Sequence, residues 1–416
     1  MMQVRSGRTD ALPTPEPDAL AHSARLGALL RERIRAAGGA LGFADYMNLV
    51  LYAPGLGYYS AGTRKFGPAG DFVTAPEVSP LFSRVLARQL AEMLAAVGGG
   101  DILELGAGSG VMAAEILAAL AAADALPERY LILEVSADLR ARQREAIAER
   151  LPGELGRVQW LEGLPAQPLS GVIVGNEVVD ALPVERFRRE AEGVSRAVVT
   201  ETPAGLTLDW APAPPQLSGA VAALEARLGR RLAPGYVSEL SLGLAGWMGD
   251  VGAALGEGFL LLADYGFSES EYYAPERSGG TFRCHYRHRA HEDALLWPGL
   301  QDLTAWVDFT ALAEAGLAAG LDLVGYTTQA HFLIAAGLEA ELAELAGPDT
   351  LDERQRLSLS AEVKTLTLPG EMGEAFRFMG FSRAADPHPL QPLQPLQPLP
   401  PLRPRGFALS DLRRTL

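Results

Sequence analysis

From residue 101 onward, short apolar runs alternate with amphipathic stretches: DILEL, VMAAEILAALAAA, RYLILEVS, ADLRARQREAIAERL, GVIVGNEV and, later, EGFLLLADYG. Continuous apolar runs of that length are strands covered on both faces, and the stretches between them carry helical spacing. The pattern predicts an α/β fold with a doubly wound sheet of parallel strands. Upstream, LGALLRERIRAAG (26–38) is spaced as a helix. SPLFSRVLARQLAEMLAAVG predicts a second one, with Ser79 as cap and Gly98 as stop. Between them lies PGLGYYSAGTRKFGPAGDFVTAPEVSP (54–80), too long and too apolar for a plain linker.

About seventy residues separate GVIVGNEV from EGFLLLADYG, far more than a crossover connection requires. They predict an insertion, with a hairpin in SRAVVTETPAGLTLDWAPA turning at Pro203 to Gly205 and helical patterns around 216–229 and 235–255. After Gly266 come a Gly- and Arg-rich loop, a helix near FTALAEAGLAAG, a strand LDLVGYTT and a helix QAHFLIAAGL. A last strand pair is expected at EVKTLTLP and AFRFMGFSR. The domain reading is a disordered 1–20, a helical and loop lid over 21–98, a sheet domain over 99–383 with a cap inserted at 186–256, and a Pro-rich tail over 384–416. The repeat PHPLQPLQPLQPLPPLRPR in that tail is expected to sample polyproline II and to pack against nothing.

Composition narrows the partners. With 416 residues, 48% hydrophobic and 21% charged, the chain reads as globular. Its net charge of −15 repels phosphate backbones and anionic membrane surfaces, so neither nucleic acid nor membrane is expected as a partner. The single cysteine, Cys284, excludes an intramolecular disulfide and suits a reducing compartment. The opening MMQVRSGRTDALPTPEPDAL lacks an apolar signal core, so the expected address is the cytoplasm. Oligomeric state is not legible.

The chemistry begins at ILELGAGSGVM (102–112). Glycine-rich turns after a strand let a nucleotide approach bare backbone, and three cofactors compete for this one. A dinucleotide turn needs a small residue at 111, where Val111 stands, and a P-loop needs a Gly-Lys-Ser/Thr ending that is absent. Both ligands would also bring phosphate against Glu104. S-adenosylmethionine has no phosphate, and it carries a sulfonium and an ammonium that an acid favours. Gly106, Ala107, Gly108 and Gly110 would then admit its amino-acid and ribose portions, and Glu134, at the end of the next strand, would hold the ribose hydroxyls. The turn alone could equally be a tight packing device; the two acids and the alternation together favour the cofactor.

Ligands of open sheets collect at the carboxyl ends of the strands. The fourth strand ends in GNEVVDALPV (175–184), which sets Asn176, Glu177 and Asp180 beside the expected methyl group; read alone, they could simply cap a helix. Nucleobase amino methylation would show Asn/Asp-Pro-Pro-aromatic here, and pyrimidine C5 chemistry would need a nearby cysteine. Carboxylates instead suit a guanidinium, which they can hold bidentately while one nitrogen faces the donor.

GPAGDFVTAPEVSPLF (67–82), ILELGAGSG, GNEVVDALPVERF, LLADYG and TFRCHYRHRAHEDALLWPGLQDLTAWVDFTAL, in this order, resemble the MidA-type methyltransferases, relatives of the mitochondrial factor that dimethylates an arginine during assembly of respiratory complex I. The likeness covers roughly 25–382, and GDFxTxPExxxxF and NExxDALP are its most specific parts. It implies a class I, Rossmann-like SAM-dependent methyltransferase with an N-terminal lid and a hairpin-and-helix cap, acting on an arginine of a partner protein. It further implies Asp71, Thr74 and Glu77 near cofactor or acceptor and Asn176, Glu177 and Asp180 lining the pocket. Asp264, Tyr265, Asp302, Thr304 and Asp308 stand as motif positions of unassigned role. Ala107 and Ser109 depart from the proline or arginine often found in the family's turn. Small-molecule methylation and a SAM-binding assembly chaperone without catalysis are the alternatives.

CHYRHRAH (284–291) has short Cys and His spacings that imitate a zinc site, but its flanking arginines and crowding predict a solvent-facing loop, and no metal is expected. His331 reads as a satisfied core residue and GLGYYS (55–60) as aromatic packing of the lid.

Overall fold

The computed structural model describes residues 12–60, 73–347, 351–384 and 404–416. The chain opens with α1 (Pro17–Ala36), which starts well before the expected helix. Pro17 sits in the first turn, where its missing N–H does no harm, so residues 17–20 are helical rather than disordered. Leu26, Leu30 and Ile34 form its buried stripe. Strand β1 (Ala40–Gly42), α2 (Phe43–Tyr52) and the single turn α3 (Ala75–Val78) lead to α4 (Pro80–Ala96). Ser79 caps α4 by accepting from the Leu81 N–H at 3.3 Å, and Gly98, at φ 80°, ends it.

The alternation then runs β2 (Asp101–Leu105), α5 (Val111–Ala122), β3 (Tyr130–Leu133), α6 (Ala137–Arg150), β4 (Val158–Leu161) and β5 (Leu169–Asn176). The insertion supplies β6 (Glu185–Arg189), β7 (Val194–Thr202), β8 (Gly205–Pro212), α7 (Pro215–Arg227), β9 (Val237–Leu240) and α8 (Leu244–Ala253). The expected hairpin is β7–β8. The stretch 235–255 is not one helix: its first part pairs antiparallel with β6 as β9. After β10 (Leu255–Phe267) and α9 (Glu269–Tyr272) come β11 (Arg283–Tyr286), β12 (Arg289–His291), β13 (Asp302–Thr304) and β14 (Val307–Asp308). The described chain continues with α10 (Phe309–Ala318), β15 (Asp322–Thr328), α11 (Gln329–Ala336), α12 (Leu338–Leu345), α13 (Glu353–Thr367), α14 (Met372–Ala375) and β16 (Phe376–Arg383).

The central sheet has the order β15-β16-β10-β5-β2-β3-β4, with β14 beside the end of β10. From β10 to β4 the strands are parallel, whereas β16 runs antiparallel between β10 and β15, so the sheet is mixed at one side. Alternate residues feed two cores. Ile102, Val172 and Leu261 meet α4, α5 and α11 on one face; Leu103, Ile173 and Leu260 meet α8 and α10 on the other. A second sheet, β1-β7-β6-β9 with β8 on β7, joins the N-terminal segment to the insertion, because β1 pairs with β7. A third, β12-β11-β13, stands beside them.

One more expectation fails, and the repeat PHPLQPLQPLQPLPPLRPR lies outside the described residues as far as position 403. EVKTLTLP is helical, as the C-terminal half of α13: Asp352 and Gln355 form a capping box, and Leu359 and Leu366, two turns apart, give it a buried face. The chain end also packs. Phe407 is fully buried against Phe332, and the Leu412 N–H donates to the Tyr326 carbonyl at 2.7 Å, so the last residues belong to the fold.

Candidate functional site

Parallel register brings the sequence-predicted residues to one edge. Glu104 is level with Val174 of β5, and Asn176 is level with Ala263 of β10, so β2, β3, β5 and β10 deliver Glu104, Glu134, Asn176 and Asp264 along one line of strand ends. Above that line lies a cavity of about 2160 Å³. Its walls include Thr74, Glu77, Glu104, Gly106, Ala107, Gly108, Glu134, Asn176, Glu177 and Asp180. Gly110 stands behind the wall instead, at φ 86°, against Gln143. Asp71 lies outside the described residues. Asp308 caps α10 by accepting from the Thr310 and Ala311 N–H groups and does not line the cavity.

At the glycine turn, Gly106, Gly108 and Gly110 all have positive φ, which a side chain would strain. Glu104 is not at the lip of the turn as its position suggested. It is fully buried in β2, where one oxygen accepts from the Tyr130 hydroxyl at 2.6 Å while Oε1 has no partner among the described residues. Burial pushes its carboxyl up to about 7, so its charge responds to whatever sits beside it. Glu134 accepts from the Ser136 N–H at 2.8 Å and from the Gln143 amide at 3.1 Å; the same amide donates to the Gly108 carbonyl at 3.0 Å, locking turn and acid together. Glu77 faces Ser109 across the turn.

At the end of β5, Glu177 adopts φ 54°, a left-handed conformation that is uncommon outside glycine. Its carboxylate accepts from the Asn176 amide at 3.2 Å and from the Ala75 N–H at the start of α3. Burial, with Asp180 close by, pushes it up to about 8. Asp180 is buried, pushed up to about 6, and accepts from the Tyr265 hydroxyl at 2.6 Å. Asp264 lies beneath and accepts from the Val179 and Asp180 N–H groups at 2.9 and 3.2 Å, which shapes the NEVVD turn. Asn176 Oδ1 and Asp180 Oδ1, like Glu104 Oε1, are buried acceptors without partners among the described residues.

Several cavity residues were not assigned from sequence. The Tyr59 hydroxyl donates to Asp302 at 2.9 Å, and Tyr52, stacked on Tyr59 at 5.5 Å, donates to the Ala181 carbonyl at 2.8 Å; GLGYYS is therefore both packing and wall. CHYRHRAH is no solvent-facing loop. It forms the β11–β12 hairpin, with Cys284 and His291 buried and His285, His288 and Arg289 lining the cavity. Arg287 and His288, both at positive φ, make its turn without the Asn-Gly or Asp-Gly signal that would have announced it. Among the described residues, no three His, Cys, Asp or Glu side chains are grouped to share a metal ion, and no helix is long and apolar enough to cross a membrane. His331, half-buried, bonds Thr328 at 2.8 Å.

Three comparisons bear on this site. A crystal structure of a candidate methyl transferase from Burkholderia thailandensis bound to S-adenosyl-homocysteine superposes with a TM-score of 0.88 at 42% identity, covering 98% of this chain and 100% of that one. "Protein arginine methyltransferase NDUFAF7, mitochondrial" of Mus musculus is 28% identical over 82% of this chain and 80% of its own length. The Caenorhabditis elegans homolog of that protein is 27% identical over 84% of each. The mouse and nematode relatives are named as mitochondrial, which overturns the cytoplasmic address: the lack of an apolar signal core does not by itself assign a compartment. A family described as "Putative S-adenosyl-L-methionine-dependent methyltransferase" matches residues 85–327, the span that holds the glycine turn, NEVVD, LADYG and the β11–β13 sheet. The chain belongs to this family of S-adenosyl-L-methionine-dependent methyltransferases.

Proposed function

We propose that this methyltransferase modifies an arginine side chain of a partner protein, and that the acid cluster at the ends of β5 and β13 holds that guanidinium. The observation that carries the reading is chemical. Glu104, Asn176 and Asp180 line one cavity, and each keeps a buried oxygen acceptor without a partner among the described residues, which suits ligands rich in N–H donors and positive charge. The ammonium end of S-adenosylmethionine meets that demand beside Glu104, and a guanidinium meets it beside Asp180. The relatives named protein arginine methyltransferases support the same assignment. The cavity is also larger than the roughly 300–1,000 Å³ of ordinary small-molecule pockets, so it has room for a polypeptide segment as well as a cofactor.

In this reading Gly106, Ala107 and Gly108 admit the cofactor backbone-close, Glu104 faces its cationic end, Glu134 holds its ribose, and Thr74 and Glu77 close the turn from α3. S-adenosylmethionine supplies an electrophilic methyl group. Glu177, with Asn176 and Asp180, fixes the guanidinium so that one nitrogen points along the line of displacement, and catalysis rests chiefly on that alignment. Glu177, raised to about 8 when no cation is present, gives up its proton as the guanidinium arrives and thereby becomes the bidentate partner.

Glu177→Gln keeps the shape and removes the anion. Methyl transfer from labelled S-adenosylmethionine to protein in a lysate lacking this gene product is expected to fall by about 100-fold or more. Affinity for S-adenosylhomocysteine, read by calorimetry, should stay within about twofold. Loss of both together contradicts the role of Glu177; label appearing on residues other than arginine, located by tandem mass spectrometry, contradicts the acceptor.

A further inference from the structure

The acceptor site leaves the opposite side of the cavity unexplained. The β12-β11-β13 sheet turns one face to it. On that face Asp302 stands opposite His285 and Thr304 stands opposite Arg283. Two residues advance a strand by about 7 Å and neighbouring strands lie about 5 Å apart, so the Arg283 backbone is roughly 8 Å from that of Asp302. Arg289, at the start of β12 and level with Tyr286, lines the cavity and is exposed, and its guanidinium has neither hydrogen bond nor ion pair with any described residue. On the facing side the Arg277 guanidinium lies 3.8 Å over the Phe267 ring; Phe267 stacks on Trp306 at 4.7 Å, Trp306 meets Tyr265 edge-on at 5.7 Å, and Tyr265 donates to Asp180. An aromatic wall thus runs from a basic mouth to an acidic floor.

Such a mouth repels a lone arginine and repels arginine-rich segments more strongly. Negative charge on the guanidinium's own chain offsets the nearby arginines and favours its entry. Acids share the cavity wall, Glu371 and Glu374 among them, so the offset that matters is the one local to Arg283 and Arg289. Glu271 is held by Ser268 at the start of α9, and Glu276 shares the mouth with Arg277. Glu292 faces Arg283 at 3.4 Å but is 74% exposed, so it is a weak and exchangeable partner. We propose that Arg283 and Arg289 read a carboxylate close to the target arginine, so that the acceptor is a polypeptide segment with Asp or Glu within about three residues of the methylated site, the distance an extended chain covers between floor and mouth. This inference rests on the arginine reading above.

The test is fluorescence anisotropy on the full chain saturated with S-adenosylhomocysteine. The probes are labelled Ala/Gly peptides with one central arginine and, two residues to either side, Glu, Gln or Lys. The Glu peptide is expected to bind roughly tenfold tighter than the Gln peptide, and the Lys peptide weakest. The preference should shrink with added salt. Arg283→Ala with Arg289→Ala should equalise Glu and Gln peptides while cofactor affinity by calorimetry is unchanged, and Arg289→Glu should move the preference toward Lys. Equal Glu and Gln affinities, tighter binding of the Lys peptide, or no measurable binding of any peptide overturns the proposal. Citrulline in place of arginine separates the two claims. A Glu preference that persists when citrulline binds as well as arginine sinks the arginine reading alone, whereas an arginine requirement without a Glu preference sinks only the basic mouth.

Discussion

Glu177 sits in a backbone conformation that costs about 1–3 kcal/mol for a residue with a Cβ, and its neighbours hold it there: the Ala75 N–H and the Asn176 amide grip the carboxylate, while Asp264 fixes the turn behind it. The strain points the carboxylate into the cavity instead of along β5. Gly110 shows the opposite arrangement, in which the special residue never touches the cavity. A Cβ at this position would lie 2.6 Å from the Gln143 Cα, at a φ of 86°. Gln143 in turn binds the Gly108 carbonyl, Glu134 and the Trp160 indole, so pressure on it moves the turn and the ribose-side acid together. Gly110→Ala is therefore expected to destabilise the protein by about 2–3 kcal/mol and to weaken S-adenosylhomocysteine at least tenfold. Thermal melting and titration calorimetry check both; unchanged affinity would mean that Gln143 does not couple turn to acid.

The elements that build the site come from distant parts of the chain. The β2, β3, β5 and β10 ends supply the floor, α2 and the residue before α3 supply Tyr52 and Thr74, and the β11–β13 sheet supplies the far wall. The chain end contributes at this scale too. Phe407 enters a slot open only because β15 and β16 carry glycines there: a Cβ at Gly325 would lie 2.1 Å from its ring, and one at Gly380 would lie 2.8 Å from it. The Gly406 N–H donates to Gln89 at 2.6 Å, fastening the segment to α4. Phe407→Ala should cost about 3–5 kcal/mol and make Arg405 the first site cut by trypsin, as read by melting and timed digestion. Retained stability with a protected terminus would show that the last residues only follow the surface.

Over the whole molecule, the buried acids set the response to pH. Glu104 and Asp308 are pushed up to about 7, Glu177 to about 8 and Asp180 to about 6, all mainly by burial. Between about pH 5 and 8 the folded chain therefore holds more protons than the unfolded one, and stability falls as pH rises through that window. His285, held near 4 by burial, acts in the other direction below about pH 6.5. Melting temperature without ligand should thus decline from about pH 6 to 8. The gain from S-adenosylmethionine should grow over the same range and exceed that from S-adenosylhomocysteine, which keeps the ammonium but lacks the sulfonium charge, because a further cation favours the ionised acids. A ligand-free melting temperature that is flat or rising over this range would count against the burial of these groups. What the sequence determined by itself was whatever is local or periodic: the α/β alternation, the cap at Ser79, the β7–β8 hairpin, the glycine turn and the family likeness of NEVVDALP. It could not reveal β16 running antiparallel between β10 and β15 or the return of Phe407, since each depends on contacts between segments far apart in the chain, and the β11–β12 hairpin turned by Arg287 and His288 carries no turn signal of its own. The charge of Glu104 belongs to the same class. Sequence supplied an acid after a strand, but only tertiary burial decided that its proton is held near neutrality, because desolvation is a property of the surroundings and not of the residue.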